Sequence, residues 1–369
     1  MYKLQIPEQV VFGWDALQKL GTLFPADVKV MVISGKSAQR NGVIGKVVDL
    51  LSPREVEVFC QVEPEPSIQQ LDELRRIFRE KKCTAVAAVG GGSAMDVGKV
   101  VAAAGSSEIP TAEFFYNRAM MPEKGFFMAA VPTTAGTGAE VTPNGVFTDK
   151  ISGIKQSIRG GTILPSLALV DPALTVNCPP EVTAASGLDA LTQGIESYIS
   201  NKANHATMAW AAQSVKLIDR AIEGAVTDGS SRDFRSDMSE GTMLGGMAFA
   251  VSGLGAVHGL AHPVGARLHL PHGLVCGILL PVVLKWNLPC CREKLDALAQ
   301  YCNYSNGEKL IERIEFLLEK FNIQRRLSAY GLQPEAVEWI VKNSRSGSMR
   351  ANPRELSDAE LKQLLQETW

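Results

Sequence analysis

Short apolar runs alternate with helical patterns through roughly the first 170 residues, and this alternation constrains the fold more than any other feature. Four runs suit buried strands, at residues 28–34, 55–60, 84–89 and 126–131. Between the second and third, Ser67 and Gln70 form a capping-box pattern ahead of an apolar stripe at helical spacing. Strands that are apolar throughout are typical of parallel sheets covered by helices on both faces. The pattern therefore predicts an α/β domain built on a parallel sheet.

The strand patterns disappear from Pro179 onward, and Ala-, Leu-, Met- and Glu-rich helical periodicity replaces them. Helices are expected at residues 255–262, 295–302 and 308–321, and a last one from Ser357, with Glu360 completing a capping box. The length of 369 residues suits two domains. We predict an α/β N-terminal domain over residues 1–175, an all-helical C-terminal domain over residues 176–369, and a ligand site in the cleft between them.

Charge and cysteine usage narrow the possible partners. The formal net charge is −2, so no broad basic surface for nucleic acid is expected. The N-terminus lacks the pattern of a signal peptide. No run of about 18 apolar residues is present, so no membrane partner is expected. Seven cysteines, an odd number without a Cys-x-x-Cys pair, favour reduced thiols in a cytoplasmic protein.

Four of the five histidines lie between His258 and His272. His258 and His262 are four residues apart and share one face of a helix. His272 lies between a proline and a glycine, in a turn that could fold back toward that face. Imidazole is a common metal ligand near neutral pH, so the cluster indicates either a metal site or a set of structural histidines, and spacing alone leaves both open.

Two small-residue segments each follow a predicted strand. The first, at residues 90–99, is glycine-rich and opens a predicted helix, which suits either phosphate binding by helix N-terminal amides or a tight strand-to-helix turn. The second, at residues 131–140, combines small residues with three threonines and could wrap a cofactor or pack against a helix. On a later helix, Asp189 and Gln193 are four residues apart and share a face, where a carboxylate could complete a metal site.

Together these segments resemble the iron-containing (group III) alcohol dehydrogenase family, whose members look like GGGSxxDxxK, PTTxGTGxE, GxDAxxHxxE and HxxxHPxG…PHG. The corresponding segments here are residues 90–99, 132–140, 187–196 and 258–273. The resemblance extends from Val11 to Arg354 and so covers nearly the whole chain. It implies that the N-terminal domain binds a dinucleotide and that the C-terminal domain binds metal and substrate.

The resemblance implies a metal site formed by one aspartate and three imidazoles. The matching positions here are Asp189, Gln193, His258 and His272, with His262 as an orienting or proton-relay residue. His269 matches no ligand position. Gln193 departs from the family pattern, since histidine is usual there, and an amide oxygen is a weaker and harder donor than imidazole. Three alternatives follow: Gln193 binds through oxygen, water replaces it, or metal binding is weak. Fe²⁺ and Zn²⁺ both remain candidates.

The resemblance also implies a nicotinamide cofactor, held by the glycine loop around its pyrophosphate and by the threonine loop around its nicotinamide. The corresponding residues are Gly91, Gly92, Ser93 and Asp96 in the first loop, Thr133, Thr134 and Thr137 in the second, and Lys155. After the 28–34 strand, Gly35 and Lys36 stand where an acidic residue would favour NAD(H). A lysine could meet a 2′-phosphate, which favours NADP(H), although Lys36 could equally be a solvated helix-start residue.

The implied reaction is metal-dependent hydride transfer between nicotinamide and a small alcohol or aldehyde. If Arg267 faces the cleft, an anionic aldehyde is a candidate; if it faces solvent, it carries no information. Glycerol-dehydrogenase-like chemistry, metal-independent maleylacetate-reductase-like chemistry and a non-catalytic nucleotide-binding role are the alternatives. The family resemblance also implies a homodimer.

Overall fold

The computed structural model describes residues 2–369, which separate into two compact units. The first unit is Leu4–Cys178, and the second is Pro179–Trp369 together with residues 2 and 3. Every strand in the described residues precedes Pro179. The expected fold class, an α/β N-terminal part with a parallel sheet followed by a helical part, is confirmed.

The first unit is built on a six-stranded, fully parallel sheet with the order β1-β8-β5-β4-β2-β3. A separate antiparallel pair is formed by β6 and β7. The strands are β1 Gln9–Phe12, β2 Val30–Ser34, β3 Val56–Phe59, β4 Ala85–Gly90, β5 Phe127–Pro132, β6 Asn144–Thr148, β7 Lys155–Arg159 and β8 Leu167–Val170.

The central strands are apolar throughout because each face of the sheet is buried by a different core. On β2, Val30 and Val32 pack into one cluster, whereas Met31 and Ile33 pack into the cluster on the opposite face. Successive side chains along a strand point to opposite faces, so a strand between two cores must be apolar at every position.

Six helices belong to the first unit, and the fifth approaches the sheet closely. They are α1 Leu20–Leu23, α2 Lys36–Arg40, α3 Val43–Leu51, α4 Ile68–Glu80, α5 Gly92–Ala104 and α6 Thr111–Phe115. A Cβ on Gly98 in α5 would lie 2.5 Å from the Ala88 Cβ on β4. Glycine at this position therefore lets α5 run directly against the strand that precedes it.

The strand order reverses between β2 and β4. After β2, the chain builds β3 on one side and then crosses to build β4, β5 and β8 on the other. In doubly wound sheets, ligands bind in the crevice at the carboxyl ends of the strands where this reversal occurs. The loops after β2 and β4 carry the Gly35–Lys36 segment and the glycine loop.

The second unit consists of eight helices within the described residues. They are α7 Pro180–Ile199, α8 His205–Thr227, α9 Arg232–Ser252, α10 Ala256–Leu268, α11 His272–Tyr301, α12 Gly307–Lys320, α13 Ala336–Asn343 and α14 Asp358–Glu367. Backbone torsions at Cys291, two residues after Pro289, interrupt α11 with a kink. Proline inside a helix removes a hydrogen bond, which accounts for a bend there.

Among residues 2–369, the helix α11 is long and apolar enough to cross a membrane by length and composition alone. The helices α9 and α10 meet the same criterion only if they are counted as one span across a bend of 104°. Within its most apolar 18-residue window, 61% of α11 is buried inside the structure, as in the core helix of a folded unit.

Several local expectations need correction. The sequence patterns missed the edge strand β1, the hairpin strands β6 and β7, and β8. The helix expected at 295–302 is the last part of the much longer α11. Ser67 caps α4 as expected, but the Gln70 side chain bonds Gln61 and Glu63 instead of completing the box. The Ser357–Glu360 capping box is confirmed.

Candidate metal centre and dinucleotide site

Three of the sequence-predicted ligands come together in the helical unit. Asp189 lies on α7, His258 on α10, and His272 is the first residue of α11. The Oδ1 atom of Asp189 is 3.3 Å from the His258 Nε2 and 3.9 Å from the His272 Nε2. Asp189 and His258 are buried, whereas the His272 side chain is 30% exposed. The cluster is therefore closed on one side and reachable on the other.

A fourth donor, Cys276, lies in the same cluster and was not anticipated from the sequence. Its Sγ is 3.6 Å from the His272 Nε2 and 3.9 Å from the His258 Nε2. One donor atom each from Asp189, His258, His272 and Cys276 all lie within 4.8 Å of one another. The available clue was the spacing of four between His272 and Cys276, which puts both side chains on one face of α11.

Glu196 orients His258. Its Oε2 is 2.6 Å from the His258 Nδ1, and its Oε1 accepts a hydrogen bond from the Val257 backbone N–H at 2.7 Å. Because Nδ1 faces the Glu196 carboxylate, Nε2 is the nitrogen that faces Asp189. A carboxylate behind a ligating imidazole selects the tautomer and raises its basicity, as in many metal sites. Glu196 ends one of the family motifs, at residues 187–196, but the motif alone predicts no role for it.

Close backbone approach at the start of α10 depends on Gly255. A Cβ there would lie 2.6 Å from the Glu196 Oε1 and 3.2 Å from the Asn352 Oδ1. Asn352 accepts from the Ala256 N–H, so Glu196 and Asn352 together satisfy the first amides of this helix. Helix N-terminal amides need such partners when they are buried. The same contacts fix the position of His258, two residues into the helix.

Gly273 brings the start of α11 against α7. A Cβ on Gly273 would lie 2.1 Å from the Ala185 carbonyl oxygen and 2.9 Å from the Asp189 Cβ. Any side chain would hold the two helices apart. Because His272 is the neighbouring residue, this glycine allows its imidazole to reach the Asp189 carboxylate.

The cluster attracts positive charge. Burial alone would raise the pKa of Asp189, but His258 and His272 hold it below its usual value. Burial would likewise lower the pKa of His258, yet Cys276, Glu196 and Asp189 hold it well above its usual value. Burial raises the pKa of the Cys276 thiol to about 12. Two buried carboxylates with few compensating charges favour a cation at this point, whether a proton or a metal ion.

The other predicted residues of this region occupy different surroundings. Gln193 is buried on α7, one turn after Asp189, and its Oε1 has no hydrogen-bond partner among residues 2–369. The His262 ring stacks on the His272 ring, with centroids 4.8 Å apart and planes 18° apart. His269 is exposed in a left-handed conformation at the end of α10, and Arg267 is exposed in its last turn.

The residues present fit a divalent transition metal. The set offers one carboxylate, two imidazoles and one thiol, all of them ligand types that zinc and iron accept. Two further features suit a ligand site: the Glu196 carboxylate lies against His258, and the buried Gln193 amide oxygen has no hydrogen-bond partner among residues 2–369.

The glycine loop lies in the first unit, at the strand reversal. Gly90 ends β4 with a φ of 151°, a conformation that favours glycine, and Gly91 caps α5. The threonine loop packs directly on it. The Thr133 N–H donates to the Gly90 carbonyl, and a Cβ on Gly92 would lie 2.8 Å from the Thr137 Cγ2. The close packing leaves room for backbone only, as required where amides must approach an anion.

Asp96 and Lys99 hold this loop region together from inside. The Asp96 Oδ2 accepts from the Val146 N–H at 2.8 Å, and its Oδ1 pairs with Lys99 at 3.0 Å. Lys99 is buried and also donates to the carbonyl oxygens of Ala139 and Asn144. Both Asp96 oxygens are thus engaged with protein groups, which supports a bracing role beneath the loop.

The remaining residues predicted to bind the cofactor also lie in the first unit. The Ser93 hydroxyl donates to the Pro64 carbonyl, and the Lys155 Nζ pairs with Glu65 at 2.7 Å. Thr134 approaches Gly91, with 3.4 Å between the Thr134 Oγ1 and a Cβ placed there. Gly35 caps α2 after β2, and Lys36 is exposed at the start of that helix.

Comparison with known proteins identifies the family to which the chain belongs. A family model described as iron-containing alcohol dehydrogenase matches residues 7–172, and the model of the C-terminal region of the same family matches residues 183–369. A long-chain-alcohol dehydrogenase of Geobacillus thermodenitrificans is 31% identical over 90% of this chain and 87% of its own length.

Two further relatives match over nearly their whole length. A 1,3-propanediol dehydrogenase of Klebsiella pneumoniae is 31% identical, covering 98% of this chain and 97% of its own. The crystal structure of a sulfoacetaldehyde reductase from Bifidobacterium kashiwanohense in complex with NAD⁺ superposes with a TM-score of 0.94 and 28% identity, covering 100% of this chain and 98% of that one.

Proposed function

This chain belongs to the iron-containing alcohol dehydrogenase family, and on that basis we propose that it is a metal-dependent, NAD(P)-linked dehydrogenase that interconverts a small alcohol and its aldehyde. The observation that supports this most directly is the cluster of Asp189, His258 and His272, in which the first two are buried and Glu196 orients His258 at 2.6 Å. Such a cluster, in a chain that its relatives match from end to end, favours a dehydrogenase over a nucleotide-binding protein without catalytic activity.

In this proposal the metal is held by Asp189, His258 and His272. A bound divalent cation supplies a Lewis acid that polarises the substrate oxygen. His258 can present only Nε2 to it, since its Nδ1 is held by Glu196. His262 lies face to face with His272, at the more exposed side of the cluster. An imidazole there can move a proton between the substrate oxygen and solvent, as general acid–base catalysis requires.

The dinucleotide is proposed to bind at the carboxyl ends of β2 and β4. The first amides of α5 would meet the pyrophosphate, and Thr133, Thr134 and Thr137 would line the nicotinamide side. A nicotinamide cofactor held there would supply the hydride chemistry, and the protein would supply position and electrostatics. Asp96 is assigned to bracing this loop, given its bonds to Val146 and Lys99.

The preference for NADP(H) over NAD(H) is proposed from Lys36. Its side chain is exposed, and no carboxylate follows β2 within Ser34–Ser37 to repel a 2′-phosphate. The sulfoacetaldehyde reductase was crystallised in complex with NAD⁺. Both NADPH and NADH must therefore be tested with this chain. We expect Lys36→Glu to raise the KM for NADPH at least about tenfold and leave that for NADH nearly unchanged. An unchanged NADPH KM would remove Lys36 from this role.

Turnover with and without metal tests the proposed reaction. The purified chain would be stripped with chelator, reloaded anaerobically with Fe²⁺ or Zn²⁺, and assayed by NADPH and NADH absorbance with propanal and other neutral aldehydes. Turnover only after loading supports the proposal. Equal turnover in the chelated sample would favour a metal-independent, maleylacetate-reductase-like enzyme, and cofactor binding without turnover would favour the nucleotide-binding alternative.

An anionic aldehyde belongs in the same assay, because the sulfoacetaldehyde reductase is among the relatives by structure. Arg267 is the cationic candidate, and it is exposed. If it recognises an anionic substrate, Arg267→Ala will raise the KM for sulfoacetaldehyde but not that for propanal. Equal effects on both substrates would assign Arg267 to the solvated surface.

A further inference from the structure

We propose that the thiolate of Cys276 is a metal ligand in this protein, completing a set of Asp189, His258, His272 and Cys276, and that it takes the place left by the glutamine at position 193. The inference rests on the metal-dependent function proposed above and concerns which atoms hold that metal. It makes the site an oxygen–nitrogen–sulfur site that selects zinc over iron.

Distances between the donor atoms support a four-coordinate set. Oxygen, nitrogen and sulfur ligands bound at about 2.0–2.3 Å in a tetrahedron lie about 3.3–3.6 Å from one another. Here Asp189 Oδ1 lies 3.3 Å from the His258 Nε2 and 3.9 Å from the His272 Nε2. The Cys276 Sγ lies 3.9 Å from the first nitrogen and 3.6 Å from the second. The 3.3 Å and 3.6 Å separations match the edges expected for a shared cation, whereas the two 3.9 Å separations exceed them by about 0.3–0.6 Å.

The local structure aims Cys276 at the cluster. His272 and Cys276 are one turn apart on α11, so a single helix supplies two donors on one face. Gly273 and Gly277 place that face close to α7, since side chains there would collide with Ala185 and Leu188 respectively. Cys276 is fully buried, so its sulfur is surrounded by the other donors and by apolar groups.

Gln193 is the competing donor, and its chemistry is less suitable. Its Oε1 is buried without a hydrogen-bond partner among residues 2–369, so this acceptor is available to a ligand. An amide oxygen is neutral and hard, whereas a thiolate is anionic and soft, and zinc sites in proteins use cysteine, histidine and carboxylates. A metal-bound cysteine is deprotonated by the cation itself. Asp189 and Cys276 together then neutralise a divalent ion, which Asp189 and Gln193 cannot do.

Cobalt substitution reports on the ligand directly and without turnover. The chelated full-length chain, under anaerobic reducing conditions, would be titrated with Co²⁺ while the near-ultraviolet and visible spectrum is recorded. We expect a thiolate-to-cobalt charge-transfer band together with the intense visible bands of four-coordinate cobalt. Cys276→Ser and Cys276→Ala should remove the charge-transfer band and weaken Zn²⁺ binding at least about a hundredfold, more than the loss of an outer-sphere partner costs.

Two control variants separate the alternatives. Cys291→Ser changes a buried cysteine on the same helix, whose Sγ contacts the Asn287 carbonyl, and should leave the cobalt spectrum unchanged. Gln193→Ala should retain the charge-transfer band. If the band persists in Cys276→Ser, or disappears in Gln193→Ala but not in Cys276→Ser, the proposal is wrong.

X-ray absorption of the unaltered zinc-loaded protein provides a test that needs no variant to fold. One sulfur at about 2.3 Å from zinc supports Cys276, and a shell of nitrogen and oxygen alone overturns it. That second result would leave the dehydrogenase function standing, because turnover with metal is measured separately. Absence of any cobalt or zinc binding would overturn both the ligand assignment and metal dependence, whereas binding without turnover would contradict only the proposed reaction.

Discussion

At the scale of single residues, the Glu196 carboxylate decides which nitrogen of His258 faces the proposed metal. One oxygen accepts from the imidazole and the other from the Val257 amide, so both are used. We expect Glu196→Gln to keep the shape but weaken the charge-assisted bond, lowering metal affinity about 10–100-fold. Competition with a chromophoric chelator measures the affinity.

The matched control for that variant is Glu223→Gln, which removes the carboxylate of Glu223 on α8 from its ion pair with Arg313 on α12, away from the cluster. Its metal affinity should equal that of the unaltered protein. Equal affinity in Glu196→Gln would mean that the carboxylate acts only on the start of α10.

Glu140 makes the stability of the first unit depend on pH. Burial raises its pKa to about 7 from an ordinary 4.5, against the opposing effects of its backbone hydrogen bond and Lys99. The folded state therefore holds this proton more tightly than the unfolded chain does. Its contribution to stability is complete below pH 4.5 and is lost as the pH rises through 7, a change of about 3 kcal/mol.

We accordingly expect Glu140→Gln to be more stable than the unaltered protein at pH 8 and nearly equal to it at pH 4.5. Denaturant unfolding at several pH values measures this difference. Glu123→Gln, on an exposed loop, should show no such pH-dependent gain. A stability difference that does not change with pH would show that Glu140 is not the titrating group.

At the scale of helices and strands, Gly273 decides how closely α11 approaches α7. A Cβ 2.1 Å from a backbone oxygen cannot be relieved by moving a flexible side chain. We expect Gly273→Ala to lower the free energy of unfolding by about 1–3 kcal/mol and to weaken metal binding, because His272 moves away from Asp189. Thermal unfolding and metal titration measure the two effects.

Gly45→Ala is the matched control, since a Cβ there meets nothing within 4 Å on the exposed side of α3. It should raise stability by about 0.5–1 kcal/mol, as alanine favours a helix over glycine. Were Gly273→Ala to behave like this control, the close approach of the two helices would not matter for the site.

The same scale shows which elements could be predicted from sequence. The strands β2 to β5 and the capped start of α14 follow from local patterns, because burial on both faces and hydrogen bonding at a helix start are short-range effects. The short strands β1, β6, β7 and β8 did not. The pairing of β1 with β8 joins distant parts of the chain, which no local pattern contains, whereas β6 and β7 pair with each other across a short connection.

At the scale of the whole molecule, a bound metal would join three helices of the helical unit, α7, α10 and α11, through Asp189, His258 and His272. A ligand that binds only the folded state stabilises it by about 4 kcal/mol when present at roughly 1,000 times its Kd. We expect zinc loading to raise the melting temperature and chelation to lower it again.

Asp189→Ala should abolish that rise, whereas Asp237→Asn, which alters a surface ion pair with Arg220, should retain it. Scanning calorimetry with and without zinc measures both. A rise that survives in Asp189→Ala would point to metal binding elsewhere on the chain.

The sequence by itself determined the α/β and helical parts, the glycine loop at the end of β4 and the family, because these depend on local periodicity and on ordered motifs. Resemblance to family motifs also predicted Asp189, His258 and His272 as metal ligands. Only the tertiary structure places Cys276 and Glu196 beside the His258 imidazole. Only the tertiary structure shows why positions 255 and 273 require glycine, since a side chain at Gly255 or Gly273 would collide with its neighbours. Those relations join residues more than 60 positions apart in the case of Glu196 and His258, and they depend on helix packing distances that no local pattern encodes.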